Sequence, residues 1–466
     1  MNNIHMLFGA PGCGKTTRLM EILTEELKQN NPDRIAFVSF TRKGTYEGVE
    51  RAKAQGNFKD DDLPYFRTLH SIAFRVGGYS KYDMMSGLDF KEFSDAMGMK
   101  FTGYYNEEFY SNDDKYLFMH YMKRNNPKTA QLYIDDLDWR KLRDVEHNYA
   151  RYKDMMHVHD FTDIIERFVE ADDPLPVDIA IIDEAQDLTT LQWKMCEIAF
   201  RNCKRVYVAG DDDQAIYEWS GADVEYFLNI AATKREILGK SYRLKRNILN
   251  TAKSISSMIK LRVNKDFEPV QEAGEVNFYN TIDEIPLNTD ESWYFITRNN
   301  WFLTKYREYL KKQARVFLDK GDPSFDQKQI DAINVFEKAR RRKSITETEL
   351  MKLKLYIKGE PDLSKPWYET FSFDNDTVSY YRDLIKYKSN LQDKSIMINT
   401  IHGVKGGEAD NVVLMLDFTK SVRRNMERNP DSELRCLYVA LTRAKKKLHI
   451  IHSSSKNGYD NFVRLR

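Results

Sequence analysis

The sequence predicts an α/β fold with two mostly parallel sheets, each interrupted by a mostly helical insertion. Short apolar runs that suit buried parallel strands recur at 4–8, 35–40, 179–182, 206–209, 396–399, 412–416 and 448–451, with helix-like stretches between many of them. They gather in two groups, before about residue 210 and after about residue 235. Two segments have a different character: 78–155 is rich in Tyr, Met, Asp and Lys, and 325–392 is charged and helical in pattern. The resulting partition is a first sheet domain at 1–77 and 156–235, an insertion at 78–155, a second sheet domain at 236–324 and 393–466, and a small insertion at 325–392.

Size and composition bound the reading. A chain of 466 residues is too long for one ordinary core and suits two to four domains. Charged residues at 31% and hydrophobic ones at 41% are a globular balance, and no run reaches the length a membrane span needs. Residues 1–8 lack the basic start and long apolar stretch of a signal peptide, so the expected location is the cytoplasm. Cys13, Cys196, Cys203 and Cys436 lack paired metal-ligand spacing and read as reduced thiols. Lys plus Arg (72) nearly cancel Asp plus Glu (71), so any groove for a polyanion must be local.

After the first strand comes Gly9-Ala10-Pro11-Gly12-Cys13-Gly14-Lys15-Thr16-Thr17, followed by a helix-forming run at 18–28. This is a phosphate-binding loop in its expected strand-loop-helix context. Glycines let backbone N–H groups crowd around phosphate oxygens, Lys15 supplies positive charge to the β and γ phosphates, and the Thr16 hydroxyl can ligate Mg²⁺. The strand at 179–182 ends in Asp183-Glu184-Ala185-Gln186-Asp187, which puts carboxylates at the carboxyl edge of a sheet. Alone such a cluster is usually a solvated turn. Paired with the phosphate loop, Asp183 is expected to hold Mg²⁺ and Glu184 to activate a water against ATP.

Further motifs follow in order: Phe40-Thr41-Arg42-Lys43, Thr68-Leu69-His70-Ser71, the run from Gly210-Asp211-Asp212-Asp213-Gln214 through Tyr217-Glu218-Trp219-Ser220-Gly221-Ala222, Ser241-Tyr242-Arg243, Thr400-Ile401-His402 through Glu408, and Leu437 through Thr442-Arg443-Ala444. In kind and order they resemble the superfamily-one DNA helicases of the UvrD/Rep/PcrA type, in a compact form. The resemblance implies two RecA-like phosphate-loop motor domains. It also implies that Gln214 senses the γ-phosphate, that Tyr242 stacks on adenine and that Glu408 meets the ribose. Arg243 and Arg443 would be arginine fingers reaching from the second motor domain, a role worth about 10³–10⁵ in rate where it has been measured.

A motor on a single strand needs flat holds that do not read sequence, and aromatic stacking supplies about 1–3 kcal/mol per base. Phe40, Tyr217 and Trp219 are the candidates, with Trp219 expected to be exposed because its motif is polar. Thr41, Arg42, Lys43, His70 and His402 are expected to hold phosphates or to link the strand to the ATP site. Two basic runs, 338–343 and 443–447, could also meet backbone phosphate. The chain departs from the family pattern at Ser220, which stands where the motif often has arginine, and in the second insertion, which is expected to be much shorter than in the larger relatives and shows no recognisable glycine-containing duplex-binding motif.

Together these features predict an ATP-dependent DNA helicase with Mg²⁺ as cofactor, moving 3′ to 5′ by the polarity the resemblance implies. The expected partners are single-stranded DNA, single-strand/duplex junctions and repair or replication proteins, and the expected state is a monomer off the membrane. A translocase that displaces bound proteins without efficient unwinding, a DNA-binding recruitment subunit with weak ATPase, and an RNA helicase are the alternatives.

Overall fold

The computed structural model describes residues 3–56, 58–103, 111–132, 137–288, 290–357 and 359–465. They group into two compact units: Met1–Ala273 with Arg424–Val439, and Gly274–Arg423 with Ala440–Arg466.

The first unit is built on five strands, β1 (Ile4–Gly9), β2 (Ile35–Ser39), β3 (Ile179–Asp183), β4 (Arg205–Gly210) and β5 (Lys234–Leu238), all parallel in the order β2-β3-β4-β1-β5. β2 and β3 are buried along their whole length, so they read as unbroken apolar runs rather than alternating ones. Side chains of period two feed both faces of the sheet. Leu7, Phe37 and Ile181 join Leu19 and Leu23 of the helix Lys15–Leu27 in one core, while Phe8, Val38 and Ile182 join Trp193 and Phe227 in the other.

Between β2 and β3 lie the helices Gly87–Met97, Asp114–Asn125 and Trp139–Met156, with a core of their own around Phe93, Leu117, Phe118, Met122, Val145 and Tyr149. The sequence partition groups 236–273 with the second sheet; in the structure this stretch packs in the first unit. The reason is local. β5 hydrogen-bonds along β1, and the strand β6 (Lys240–Lys245), which pairs with β7 (Glu268–Val270), is tied to the loop after β1. β5 is a mostly exposed edge strand, and its sequence KREIL carries no apolar run that would reveal it.

The second unit holds β8 (Glu275–Tyr279), β9 (Trp293–Thr297), β10 (Leu318–Asp319), β11 (Asp322–Pro323), β12 (Ile396–Thr400), β13 (Ala409–Met415) and β14 (Ala444–Ile451). Their order is β11-β10-β12-β9-β13-β14-β8, parallel throughout except for the β10-β11 hairpin. The central strand β9, WYFIT, escaped the sequence reading although its aromatic and β-branched residues carried the signal. The helices Gln327–Arg340, Glu347–Lys354, Trp367–Thr370 and Asn375–Lys386 share one core with this sheet, in which Phe336, Trp367 and Phe371 meet Trp293 and Phe295.

All four cysteines are free and buried. Among the described residues no helix is long and apolar enough to cross a membrane. Phe295 is fully buried at the centre of the second sheet, so Phe295→Ala is expected to cost about 3–5 kcal/mol, read as a lowered urea midpoint.

Candidate functional site

Parallel pairing places the carboxyl ends of β1 to β4 on one edge of the first sheet, and the predicted residues of this unit hang from that edge. Ser39 pairs with Asp183 and Phe8 with Gly210, so the segments after these strands begin side by side. The loop after β1 turns through Gly12 at φ 71° and Gly14 at φ 84°, values that L side chains rarely adopt. Gly9 is required for another reason: a Cβ there would sit 2.1 Å from Cys13 Sγ. The Lys15 ammonium folds back onto the loop, donating to the carbonyls of Gly9 at 2.6 Å and Ala10 at 3.4 Å. Thr16 and Thr17 lie in the first turn of the helix that follows.

Asp183 ends β3 in the interior, 3% exposed. Its carboxylate accepts from the Glu184 backbone N–H at 2.9 Å, but burial and the neighbouring Glu184 charge push its pKa up to about 7. Glu184 sits in the left-handed region at φ 52°, a strained conformation for a side-chain-bearing residue. Gln186 Nε2 donates to Glu184 at 2.6 Å, and its Oε1 accepts from the Asp211 backbone N–H at 3.0 Å, linking the segments after β3 and β4.

The segment after β4 is held by an ion cluster that the sequence reading missed. Lys265, fully buried, donates to Asp211 at 2.7 Å and to Asp212, and lies 3.1 Å from Asp213. Arg262 grips Asp213 through two hydrogen bonds of 2.8 and 2.7 Å. Arg435 donates to the Asp212 carbonyl at 2.9 Å, to the Leu261 carbonyl at 2.6 Å and to Glu218 at 3.1 Å. Burial works against the Lys265 charge, but the three carboxylates outweigh it and raise its pKa. Gln214 Nε2 in turn donates to Asp211 Oδ2 at 2.7 Å, so the cluster sets the orientation of this predicted sensor. These cations stand about fifty residues beyond the acidic run, or much further for Arg435, and no local pattern announces them.

Tyr242 and Arg243 stand over the phosphate loop within the same unit. The Tyr242 N–H donates to the Gly12 carbonyl at 2.8 Å, and Ser241 Oγ donates to the Pro11 carbonyl at 3.1 Å. A Cβ at Gly12 would lie 2.5 Å from Arg243 Cβ, so the arginine packs directly against the loop. Tyr242 is 69% exposed, with the Lys240 ammonium 5.4 Å over its ring. In the second unit Glu408 is exposed just before β13, and His402 lies in the short turn after β12. Arg443 there is buried and donates to the Gly407 carbonyl at 3.2 Å, bracing the loop that carries Glu408.

The candidate stacking residues form a row. The Phe40 ring lies 5.4 Å from Tyr217, and Tyr217 lies 6.4 Å from Trp219. Trp219 is half-buried rather than exposed, because its ring stacks on Phe118 of the inserted helix Asp114–Asn125 at 6.4 Å. That helix also supplies Tyr121, whose hydroxyl donates to the Ser220 carbonyl at 3.0 Å. Tyr121, Phe40, Thr68, His70, Gln192 and Ser220 line a cavity of about 210 Å³ beside the row. Burial drives the His70 pKa down to about 4, so its imidazole is neutral in the ligand-free protein near neutrality. Thr41 caps the helix Arg42–Gln55 through a bond from the Gly44 N–H, leaving Arg42 and Lys43 exposed at that helix start.

A glycine loop between a parallel strand and a helix, faced by a carboxylate-bearing strand, defines a phosphate-loop α/β protein. Comparison with known proteins narrows the class. Residues 1–235 match the UvrD/REP helicase N-terminal domain and residues 395–451 the UvrD-like helicase C-terminal domain. The chain belongs to the UvrD/REP helicase family. It is 25% identical to DNA helicase II of Haemophilus influenzae over 325 residues, 60% of this chain and 42% of that protein. It is 26% identical to the ATP-dependent DNA helicase PcrA of Staphylococcus epidermidis over 184 residues, 36% of this chain and 25% of that protein. The chain thus spans less than half the length of these relatives. Among solved structures, a PRRSV helicase overlaps with a TM-score of 0.37 at 10% identity, covering 96% of this chain and 52% of that one, too distant a likeness to carry an argument.

Two outcomes test this electrostatic picture. With its pKa raised above the unfolded value, Asp183 stabilises the ligand-free fold only while protonated, and that contribution is lost as pH rises through about 7. Asp183→Asn is therefore expected to raise the melting temperature of the ligand-free protein by a few degrees at pH 8, with a smaller gain at pH 5 and none below the unfolded pKa of about 4. Lys265→Met removes the buried cation that Asp211 and Asp212 share, leaving Asp213 with Arg262, and is expected to destabilise by about 3–5 kcal/mol in a urea titration.

Proposed function

We propose that this chain is an ATP-dependent DNA helicase that translocates along single-stranded DNA, 3′ to 5′, and separates duplex ahead of it. The observation that carries the reading is the shared sheet edge. The phosphate loop follows β1 and Asp183 ends β3, while the aromatic row hangs from the ends of β2 and β4. One unbroken segment runs from Gln214 to Trp219, so a displacement at the nucleotide is transmitted to the stacking row within a few residues.

In this reading residues 9–17 cradle the ATP phosphates and Lys15 leaves the loop carbonyls to meet them. Thr16 and Asp183 hold Mg²⁺, which would supply charge neutralisation on the phosphates. The donor set fits such an ion, since Asp183 is a buried carboxylate at the sheet edge with the half-buried carboxylate of Glu184 beside it. Glu184 orients and deprotonates the attacking water. Gln214 reads the γ-phosphate, and Arg243, already against Gly12, stabilises the transferring charge. Tyr242 stacks on the base of the nucleotide, Glu408 meets the ribose and Arg443 acts as an arginine finger. Phe40, Tyr217 and Trp219 hold bases of the strand at about 1–3 kcal/mol each, comparable with the mean duplex step of about 1.4 kcal/mol, so shifting bases along the row competes with reannealing. Residues 78–155 and 325–392 are insertions into the two motor domains, and the protein works as a monomer on single strands and junctions.

The test is ATP hydrolysis with and without single-stranded DNA. Strong stimulation is expected, with Lys15→Ala and Glu184→Gln each lowering the stimulated rate by at least about 100-fold. A folded wild type that no nucleic acid stimulates overturns the reading. Duplexes with a single overhang then test polarity: unwinding from a 3′ overhang alone is expected, and unwinding from a 5′ overhang alone reverses the direction.

A further inference from the structure

Gln186 is a fully buried amide beside Glu184 that the proposed chemistry does not use. It lies in the tight turn Ala185–Asp187 after β3. Its Oε1 accepts from the Asp211 backbone N–H at 3.0 Å, while its Nε2 donates to Glu184 Oε2 at 2.6 Å and to Asp187 Oδ2 at 3.2 Å. That orientation has a single solution. A backbone N–H only donates, so the amide must turn its oxygen to Asp211 and its two N–H hydrogens to the carboxylates. Gly210 makes the close approach possible, since a Cβ there would lie 2.6 Å from Gln186 Oε1.

The bond to Glu184 does more than satisfy a buried amide. It is short and charge-assisted, and it fixes one oxygen of a half-buried carboxylate that water could otherwise solvate. Among the described residues the Glu184 carboxylate accepts no other hydrogen bond, so Oε1 keeps its lone pairs for a water. A general base has to present one oxygen in a fixed direction, and a misplacement of about 1 Å can cost about 100-fold in rate. The other end of the amide is tied to Asp211, whose Oδ2 accepts from Gln214 Nε2 at 2.7 Å and whose Oδ1 accepts from the buried Lys265 at 2.7 Å. Glu184, Gln186, Asp211 and Gln214 therefore form one continuous chain of hydrogen bonds, each between 2.6 and 3.0 Å. Its two ends are the groups that face the attacking water and the γ-phosphate in the proposed reaction.

We infer that Gln186 is a positioning residue for ATP hydrolysis: it fixes the direction of the Glu184 carboxylate and ties it through Asp211 to Gln214, so that base and sensor share one frame. This rests on the reading of Glu184 as the base and Gln214 as the sensor.

ATP hydrolysis at saturating single-stranded DNA tests it in two variants. Gln186→Met keeps the length of the side chain but has no donor for Glu184, and Gln186→Asn keeps an amide too short to span Glu184 and Asp211. In both, kcat is expected to fall about 10- to 100-fold, while KM for ATP and the affinity for a labelled single strand stay within about threefold of wild type. Methionine would replace without loss a side chain that served only to pack the turn. A wild-type kcat in Gln186→Met, or nucleotide and strand binding lost in step with kcat in both variants, overturns the inference. Epistasis gives the second readout. Added to Glu184→Gln, either substitution is expected to lower kcat by less than about twofold further, because groups that act as a unit are not additive. Losses that multiply overturn the inference. A Glu184→Gln protein with the wild-type rate overturns the reading of Glu184 as base and this inference with it, whereas a slow Glu184→Gln beside wild-type rates in both Gln186 variants overturns this inference alone.

Discussion

Parallel hydrogen bonding in the first sheet is the constraint on which the site depends. A parallel register sends every carboxyl end to one edge, and four segments with separate chemistry then leave from neighbouring strands. The phosphate loop, Asp183 with Glu184, the run Asp211 to Gln214 and the aromatic Phe40 are far apart in the chain. They come together because β1, β2, β3 and β4 pair in phase. A one-residue slip would turn each buried side chain to the opposite face and dismantle both cores at once.

Two groups of carboxylates on that edge are treated in opposite ways. Asp211, Asp212 and Asp213 are matched inside the protein by Lys265 and Arg262, and Arg435 ties off the Asp212 carbonyl. They are a structural clamp that holds Gln214 in place. Asp183 is favoured by the more distant Lys15 but carries burial and the repulsion of Glu184, whose backbone is strained. Uncompensated charge of this kind marks a place where a ligand completes the electrostatics.

The inserted helix Asp114–Asn125 adds a second layer of support. It packs Phe118 behind Trp219 and bonds Tyr121 to the Ser220 carbonyl, so the aromatic row rests on a rigid element rather than on its own loop. Ser220, short where the family motif often has arginine, leaves room for the cavity between Tyr121 and Phe40. In the second unit Arg443 supports the glycine turn ahead of Glu408 through the Gly407 carbonyl.

The sequence by itself determined the α/β class, the strands that are buried on both faces, and the short motifs whose chemistry is local. Gly9 to Thr17 could be read because strand, loop and helix are contiguous, and Asp183-Glu184 because an acidic pair closes an apolar run. Edge strands such as β5 and β8 were not legible, since a strand solvated on one side has a composition close to that of a loop. Only the tertiary structure decided that Lys265, Arg262 and Arg435 neutralise the acidic run, that Tyr121 joins the cavity, that Trp219 is half-buried, and that His70 is neutral. Each of these depends on which distant side chains share a low-dielectric interior. Local pattern sets backbone conformation and intrinsic chemistry; charge state and exposure are set by neighbours that only the folded chain brings within a few ångströms.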